Sequence, residues 1–436
     1  MLLTATPTAS ADYIRDKQWV LDAADAEAIW AQSQGQGVIV AVVDTGVKAS
    51  LPDLTGQVLP GTDLKGGGGN GQLDTNGHGT HMASIIAGHG HGAGNNAGVM
   101  GLAPKAKILP VRVSRTGDGD YLGVAQGIRF AVEHGASVIN LSFIDSLSSP
   151  QSDTGKAIAY AQKHDVVVVA GAGNSAAEHV NYPARLPGVV AVGAVDESMN
   201  LWDDSNYGAG ITLTAPGSNI VAADPTEPSG YSKASGTSDA TAFVSATAAL
   251  VRSKFPNLTA GQVINRLIKS ATFLNHKVTK VPDEKYGYGI IRPNKALRMD
   301  IPAGPKQGPL AQASPSTSTS AGAASGNDST IQAKKEKGSS SMGAILLLAG
   351  VIGLGVVIAA VVGFAVTRNR RNAVNVGPIT GPYPQNMGCP PQQMMPPVAQ
   401  PPYTAPPPNQ GYGYAAPPAQ PPQYPNPYTQ QPPYGP

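Results

Sequence analysis

The sequence predicts an α/β protein in which a mostly parallel sheet is covered by helices. Three observations carry that expectation. Short runs rich in Val and Ile recur along the chain, amphipathic or Ala-rich stretches separate them, and several runs end directly in chemically suggestive polar residues, where an open α/β sheet places its site.

The clearest runs are GVIVAVVD (37–44), KILPVRV (107–113), ASVINLS (136–142), DVVVVAGAG (165–173) and GVVAVGAV (188–195). All lie between residues 12 and 300, a stretch of mixed charge and spaced glycines that is long enough for one large core. The 436-residue chain carries 30 basic and 28 acidic side chains, a net charge of +2, with no long basic face, so no nucleic-acid partner is indicated. The single cysteine, Cys389, lies outside that stretch, which therefore forms no internal disulfide and must be held by packing or ions.

Outside the globular stretch, each segment has its own composition. Residues 1–11 read as the end of an export signal, with small residues around Ala9 and Ala11 fitting a cleavage site and the charged start lying upstream. Residues 301–341 are rich in Ala, Ser, Thr, Gly and Pro and read as a flexible stalk, because they hold too little apolar surface to offset ordering entropy. Residues 342–366, MGAILLLAGVIGLGVVIAAVVGFAV, contain no charge and no proline, and at ~1.5 Å per residue they exceed the ~30 Å of a bilayer core. A single membrane span is expected. Arg368, Arg370 and Arg371 follow it and suit a cytoplasmic C-terminus with the globular stretch outside, although Lys334, Lys335 and Lys337 reduce the asymmetry. Residues 367–436 form a Pro/Tyr/Gln-rich tail with polyproline II character, suited to solvation or to docking on an aromatic groove.

The chemistry lies in three local motifs. The first run ends in Asp44-Thr45-Gly46; His78-Gly79-Thr80-His81 opens an Ala/Ile-rich helix; Gly236-Thr237-Ser238-Asp239-Ala240 opens another. A serine nucleophile needs a base to take its proton, and the base needs a buried acid to hold its tautomer. The order Asp, His, Ser separates this arrangement from the chymotrypsin-like and α/β-hydrolase orders. A fourth run empties into Ala172-Gly173-Asn174, leaving a side-chain amide on a tight turn as an oxyanion donor. Singly, these residues read as a turn aspartate, a helix-capping histidine, a loop asparagine and a helix N-terminal serine; jointly they read as a catalytic site.

The segments DTG, HGTHMA, VVVVAGAGN, NYPARLPGVVAVGAVD, LTAPGSNI and SGTSDA occur in the order and approximate spacing of the subtilisin-like serine peptidases, and the chain resembles that family over about 35–297. Within it, the QWVLDAADAEAIW stretch and the stalk with its hydrophobic segment are similar to the mycosins, membrane-anchored subtilases associated with type VII secretion in actinobacteria. The resemblance implies a three-layer fold and a serine endopeptidase acting on secreted or surface proteins. Asp44 would orient His78, His78 would act as base and then acid, Ser238 as nucleophile and Asn174 as oxyanion donor. Ser142, Gly117, Gly171, Ala172, Gly173 and Asn181 would contact substrate, with Asn181 near the floor of the primary specificity pocket and a small or polar residue preferred there. It also implies partners among secretion-complex components, and leaves open a largely non-enzymatic scaffold within such a complex.

No cofactor is expected. Asp53 and the Asn95-Asn96 loop resemble places where some subtilases bind calcium, although the loop matches poorly and calcium stays a minor alternative. His89 and His91 sit on a glycine-rich loop that reads as flexible rather than metal-binding, and His81 is expected to pack or to hydrogen-bond inside its helix. Two departures from the family pattern bear on activity. Ile144 stands where a glycine would let substrate approach, and Asp239 follows the nucleophile, where an outward orientation would leave it harmless. Asp118, Asp120 and Asp145 could favour basic residues elsewhere in the cleft, or simply be solvated.

Overall fold

The computed structural model describes residues 13–66, 68–117 and 123–312, all within the first of the chain's two units, Met1–Gly322. The export-signal remnant, the span at 342–366, the tail, Cys389, Asp118 and Asp120 lie outside the described residues. Among the described residues no helix is long and apolar enough to cross a membrane.

The strands are β1 (Ile39–Asp44), β2 (Thr62–Asp63), β3 (His89–His91), β4 (Ala97–Met100), β5 (Lys107–Arg112), β6 (Val138–Leu141), β7 (Val167–Gly171), β8 (Val190–Val195), β9 (Leu213–Pro216), β10 (Ile220–Ala223) and β11 (Tyr231–Ala234). Seven of them form one sheet in the order β2-β5-β1-β6-β7-β8-β9, with every pairing parallel. The hairpins β3–β4 and β10–β11 are antiparallel. The helices are α1 (Trp19–Ala24), α2 (Ala26–Trp30), α3 (His78–Ala87), α4 (Val124–Glu133), α5 (Asp153–Lys163), α6 (Thr237–Lys254), α7 (Ala260–Ser270) and α8 (Pro293–Arg298).

Alternate residues of one strand enter opposite cores, which makes the fold three-layered. Val40 and Val42 of β1 pack in a cluster with residues of α3, α6 and α7, whereas Ala41 and Val43 pack in another with residues of α4 and α5. Both faces of the sheet are thus buried, and that is why its strands read as continuous apolar runs. Each large side chain fully removed from water there, such as Ile139 or Ile108, stabilises the fold by ~1.5–3 kcal/mol.

The topology also selects the site. From β1 the chain builds outward to β5 and then returns across β1 to β6, so the strand order reverses there. Loops at the carboxyl ends of strands diverge at such a point and leave a crevice. Asp44 ends β1, Ser142 follows β6 and Asn174 follows β7, so three neighbouring strands deliver polar residues to one edge.

Candidate active site

Asp44 is 1% exposed, and its Oδ1 accepts from the Thr45 N–H at 2.8 Å and from His78 Nδ1 at 2.8 Å. Because a carboxylate oxygen only accepts, the His78 proton sits on Nδ1 and Nε2 is left as the basic atom. Asp44 Oδ2 is buried and has no hydrogen-bond partner among the described residues. The imidazole thus carries most of the compensation for that charge.

His78 is the first residue of α3, and the start of that helix is tied to the end of β1. Asp74 accepts from Thr45 Oγ1 (3.0 Å), the Gly77 N–H (2.9 Å), the Thr80 N–H (2.9 Å) and Thr80 Oγ1 (2.6 Å). It caps the helix from four residues ahead of His78, leaving the N-cap position to Gly77 at φ 97°. Gly79 must lack a side chain for this approach, since a Cβ there would lie 2.2 Å from the Gly46 carbonyl oxygen. Asp74 is the positioning residue that the sequence reading missed, and its signal was present as an Asp-Thr-Asn-Gly turn immediately before the helix.

Burial pulls the His78 pKa down, but the charge and hydrogen bond of Asp44, followed by the charges of Asp239 and Asp74, outweigh it and raise the imidazole from 6.5 to about 9. Nearly a third of the side chain, 32%, remains open to the cleft.

Ser238 is the second residue of α6 and faces the same cleft, about 550 Å³ in volume, as His78, Gly117, Ser142, Gly171, Gly173 and Asn174. Its Oγ donates to the Ser142 carbonyl at 3.1 Å, and Ser142 Oγ donates in return to the Ser238 carbonyl at 3.1 Å. The Ser142 groups expected to meet substrate are therefore paired with the serine in this structure. Behind them, Ser245 Oγ donates to Asn140 Oδ1 and Asn140 Nδ2 to Ser142 Oγ, each at 2.9 Å, in a chain of fully buried polar groups.

Asn174 is exposed, and its Oδ1 accepts from both the backbone N–H and Oγ1 of Thr237 at 2.8 Å. That assigns the amide orientation and leaves Nδ2 as the end toward the cleft. Gly173 (φ 118°) holds the turn, where a Cβ would lie 2.4 Å from the side-chain nitrogens of both Asn181 and Asn206. Ala172 and Asn181 are one layer back and do not line the cleft. The Ala172 carbonyl accepts from the Asn181 N–H and from Asn206 Nδ2, so it is already paired.

Two further expectations change. Asp239 does not point outward: it is 3% exposed and its Oδ1 lies 2.9 Å from His81 Nε2, so His81 is packed as expected, with its hydrogen bond running across to α6 rather than inside its own helix. Asp145 accepts from the Leu147 N–H and from Ser148 and Thr154 hydroxyls, which makes it a turn-former rather than part of the cleft wall. Ile144 does line the cleft and is 40% exposed.

The calcium alternative fails on the donors present. The Asp53 carboxylate is engaged by His91 Nδ1 (2.5 Å) and the Val99 N–H (3.1 Å). The carbonyls of Asn95, Ala97 and Gly98 accept from the Arg15 guanidinium at 3.0, 3.4 and 3.1 Å, so a metal ion would face a fixed positive charge. His89 is likewise tied, to the Thr55 carbonyl at 2.9 Å. Among the described residues no group of three or more His, Cys, Asp or Glu could hold a metal ion.

A buried carboxylate–imidazole pair, a serine and an amide donor around one crevice at the carboxyl edge of a parallel sheet are the parts of a serine hydrolase. The model of the subtilase family, Peptidase S8, matches residues 35–289, and the chain belongs to that family and is a subtilisin-type serine endopeptidase. It is 38% identical over 265 residues to Subtilisin Savinase of Lederbergia lenta, covering 61% of this chain and 92% of the relative. It is 39% identical over 243 residues to Thermitase of Thermoactinomyces vulgaris, covering 56% and 84%. Among solved structures, MycP1 from Mycobacterium smegmatis superposes with a TM-score of 0.58 at 29% identity, covering 70% of this chain and 90% of that one. The MycP3 protease from the type VII (ESX-3) secretion system gives a TM-score of 0.56 at 31% identity, covering 67% and 91%.

Proposed function

We propose that this chain hydrolyses peptide bonds through an acyl-enzyme formed on Ser238, with His78 as base and Asp44 as its orienting acid. Ser238 Oγ, turned from the Ser142 carbonyl to His78 Nε2, loses its proton to that atom as it attacks the scissile carbonyl carbon. The oxyanion receives hydrogen bonds from Asn174 Nδ2 and from the Ser238 N–H, which at the second position of a helix has no intrahelical acceptor. The tetrahedral species collapses as His78 returns the proton to the leaving amine, and water then repeats the sequence to free the acid. The observation that carries this reading is the 2.8 Å His78–Asp44 bond on the wall of the cleft that holds Ser238.

The wider setting follows the same reading: a membrane-anchored endopeptidase outside the cell, held by residues 342–366, that processes secreted or surface proteins at a type VII secretion system. The length and lack of charge of that segment support the anchor. The likeness to MycP1 of the ESX-1 and MycP3 of the ESX-3 type VII secretion system supports the setting.

The test is Ser238→Ala in the full chain. Turnover of a peptide substrate should fall by ~10⁶-fold, the loss found for this nucleophile in another member of the family. Hydrolysis persisting at the original rate would remove Ser238 from the mechanism. Secretion assayed alongside separates cleavage from a scaffolding contribution: loss of secretion in the variant ties it to the chemistry.

A further inference from the structure

Two Asp–His pairs stand side by side at this site, and only Asp44–His78 belongs to the triad. The second joins His81, three residues beyond the base on α3, to Asp239, the residue after the nucleophile on α6. Residues three apart on a helix lie near one another on its surface, so His78 and His81 both border the cleft, the first turned to Asp44 on β1 and the second to Asp239 on α6. The side chains of His81 and Asp239 are 6% and 3% exposed. The carboxylate accepts from His81 Nε2–H, and Nδ1 lies 3.3 Å from Ser232 Oγ on β11. Among the described residues this is the one ion pair that joins α3 to α6.

We propose that the His81–Asp239 pair is a positioning brace that registers the helix carrying the base against the helix carrying the nucleophile, and that the charge of Asp239, on the wall of the same cleft as His78, adds to that of Asp44 in the field at the base. The inference rests on the triad reading above. His78 Nε2 and Ser238 Oγ sit on different helices, each at or next to a first residue, where a small slide of one helix on the other changes their separation most directly. A misplacement of about 1 Å in a reacting pair costs ~10²-fold in rate. The brace is anchored within three residues of one reacting group and one residue of the other. Both side chains are nearly buried, so their hydrogen bond meets little competition from solvent.

Several charges contribute to the field at His78. The charged and titratable groups facing the two pairs are Asp44 at the end of β1, Asp74 in the loop before α3, Asp239 on α6, and Asp224 between β10 and β11, which acts on His81. Asp239 stands next to Asp44 among the charges that hold the proton on His78. Removing its charge should make the base available at lower pH.

The brace and the field separate experimentally in the full chain, with a chromogenic peptide assayed across pH. Asp239→Ala loses both; its high-pH plateau of kcat should fall by about tenfold with KM little changed. Asp239→Asn keeps an acceptor for His81 and loses the charge. It should restore most of that plateau, while kcat/KM at pH 7 rises about threefold as the acid limb moves down. His81→Ala combined with Asp239→Ala should be no worse than either single variant, as expected for partners in one interaction. A plateau kcat for Asp239→Ala equal to the parent's, with only thermal stability reduced, would overturn the brace. An unmoved acid limb in Asp239→Asn would overturn the field. Ser238→Ala serves as control: if it still turns over, the triad reading has failed, whereas an inactive Ser238→Ala beside an unaffected Asp239→Ala refutes the brace alone.

Discussion

Asn174 Oδ1 is held by two donors from one residue, the backbone N–H and the Oγ1 hydroxyl of Thr237, both at 2.8 Å. Thr237 is the residue immediately before Ser238, so Asn174, the proposed oxyanion donor, takes its orientation from the terminus of the helix that carries Ser238. Thr237 Oγ1 also accepts from the Gly173 N–H at 3.1 Å, which fastens the turn from which Asn174 projects. Helix terminus and loop are therefore tied to one another, which fixes the amide in a single orientation.

Replacing Asn174 with Ala should lower kcat by ~10²–10³-fold with little change in KM, since the amide meets a charge that exists only in the transition state; the magnitude is known from a subtilisin. Thr237→Val keeps shape and the backbone N–H but removes one of the two anchors. Because the Gly173 N–H loses its acceptor as well, a loss of about fivefold to thirtyfold in kcat is expected, equivalent to one or two hydrogen bonds of ~1 kcal/mol each. Steady-state kinetics on both variants decides this; equal kcat in Asn174→Ala and the parent would show that the amide contributes nothing.

The proton on His78 links activity and stability in opposite directions. With the pKa raised from 6.5 in an unfolded chain to about 9 in the folded one, binding that proton stabilises the fold. The contribution is complete below pH 6.5 and is lost as pH rises through about 9, the same interval in which the base becomes free to act. kcat/KM should therefore climb toward an alkaline plateau while stability to urea falls. In Asp44→Asn the largest part of the lift on His78 is lost together with its tautomer control, so activity drops ~10⁴-fold and the stability change across that interval becomes shallower. A pH profile of the parent that levels off near pH 7 would contradict the raised value.

How much of this was legible beforehand depended on the signal each residue left. The strands β1 and β5–β8 were readable because burial on both faces makes them continuous apolar runs. The hairpin β10–β11 was not, since Tyr231–Ala234 is only half-buried and carries neither alternation nor an apolar run. Asp44, His78, Asn174 and Ser238 were readable because each sits where an element begins or just past where one ends, in a short motif. The partner of Asp239 was not, because the pairing joins residues 158 apart and no local pattern encodes which way a side chain turns. The same holds for His91 with Asp53 and for Arg15 with the loop carbonyls: long-range pairs set by tertiary packing.

Asp74 offers a test of the helix cap. Its carboxylate accepts from five donors, the Asn76 N–H at 3.1 Å among them, and it is 5% exposed. Asp74→Ala leaves several of them buried without an acceptor and should cost more than the ~1 kcal/mol of an ordinary cap. Because the segment it ties begins with His78, kcat should fall together with the melting temperature. A variant that melts early yet keeps the parent kcat at a permissive temperature would assign Asp74 to stability alone.

The Arg15 guanidinium predicts how the domain responds to chelators. It donates to the carbonyls of Asn95, Ala97 and Gly98, the oxygens that would otherwise turn toward a cation, while Asp53 is bound to His91. Calcium needs six to eight oxygen ligands at about 2.3–2.6 Å and would be repelled by the fixed guanidinium charge. The melting temperature of the full chain should then be the same with excess chelator as with millimolar calcium. Arg15→Ala should lower it in both conditions, because three loop carbonyls lose a charged donor and the N-terminal segment keeps only the Gln18–Met100 bonds of its ties to β4. If chelator instead lowers the parent's melting temperature and calcium restores it, the guanidinium is not the loop's cation and the donor assignment at Asp53 is wrong.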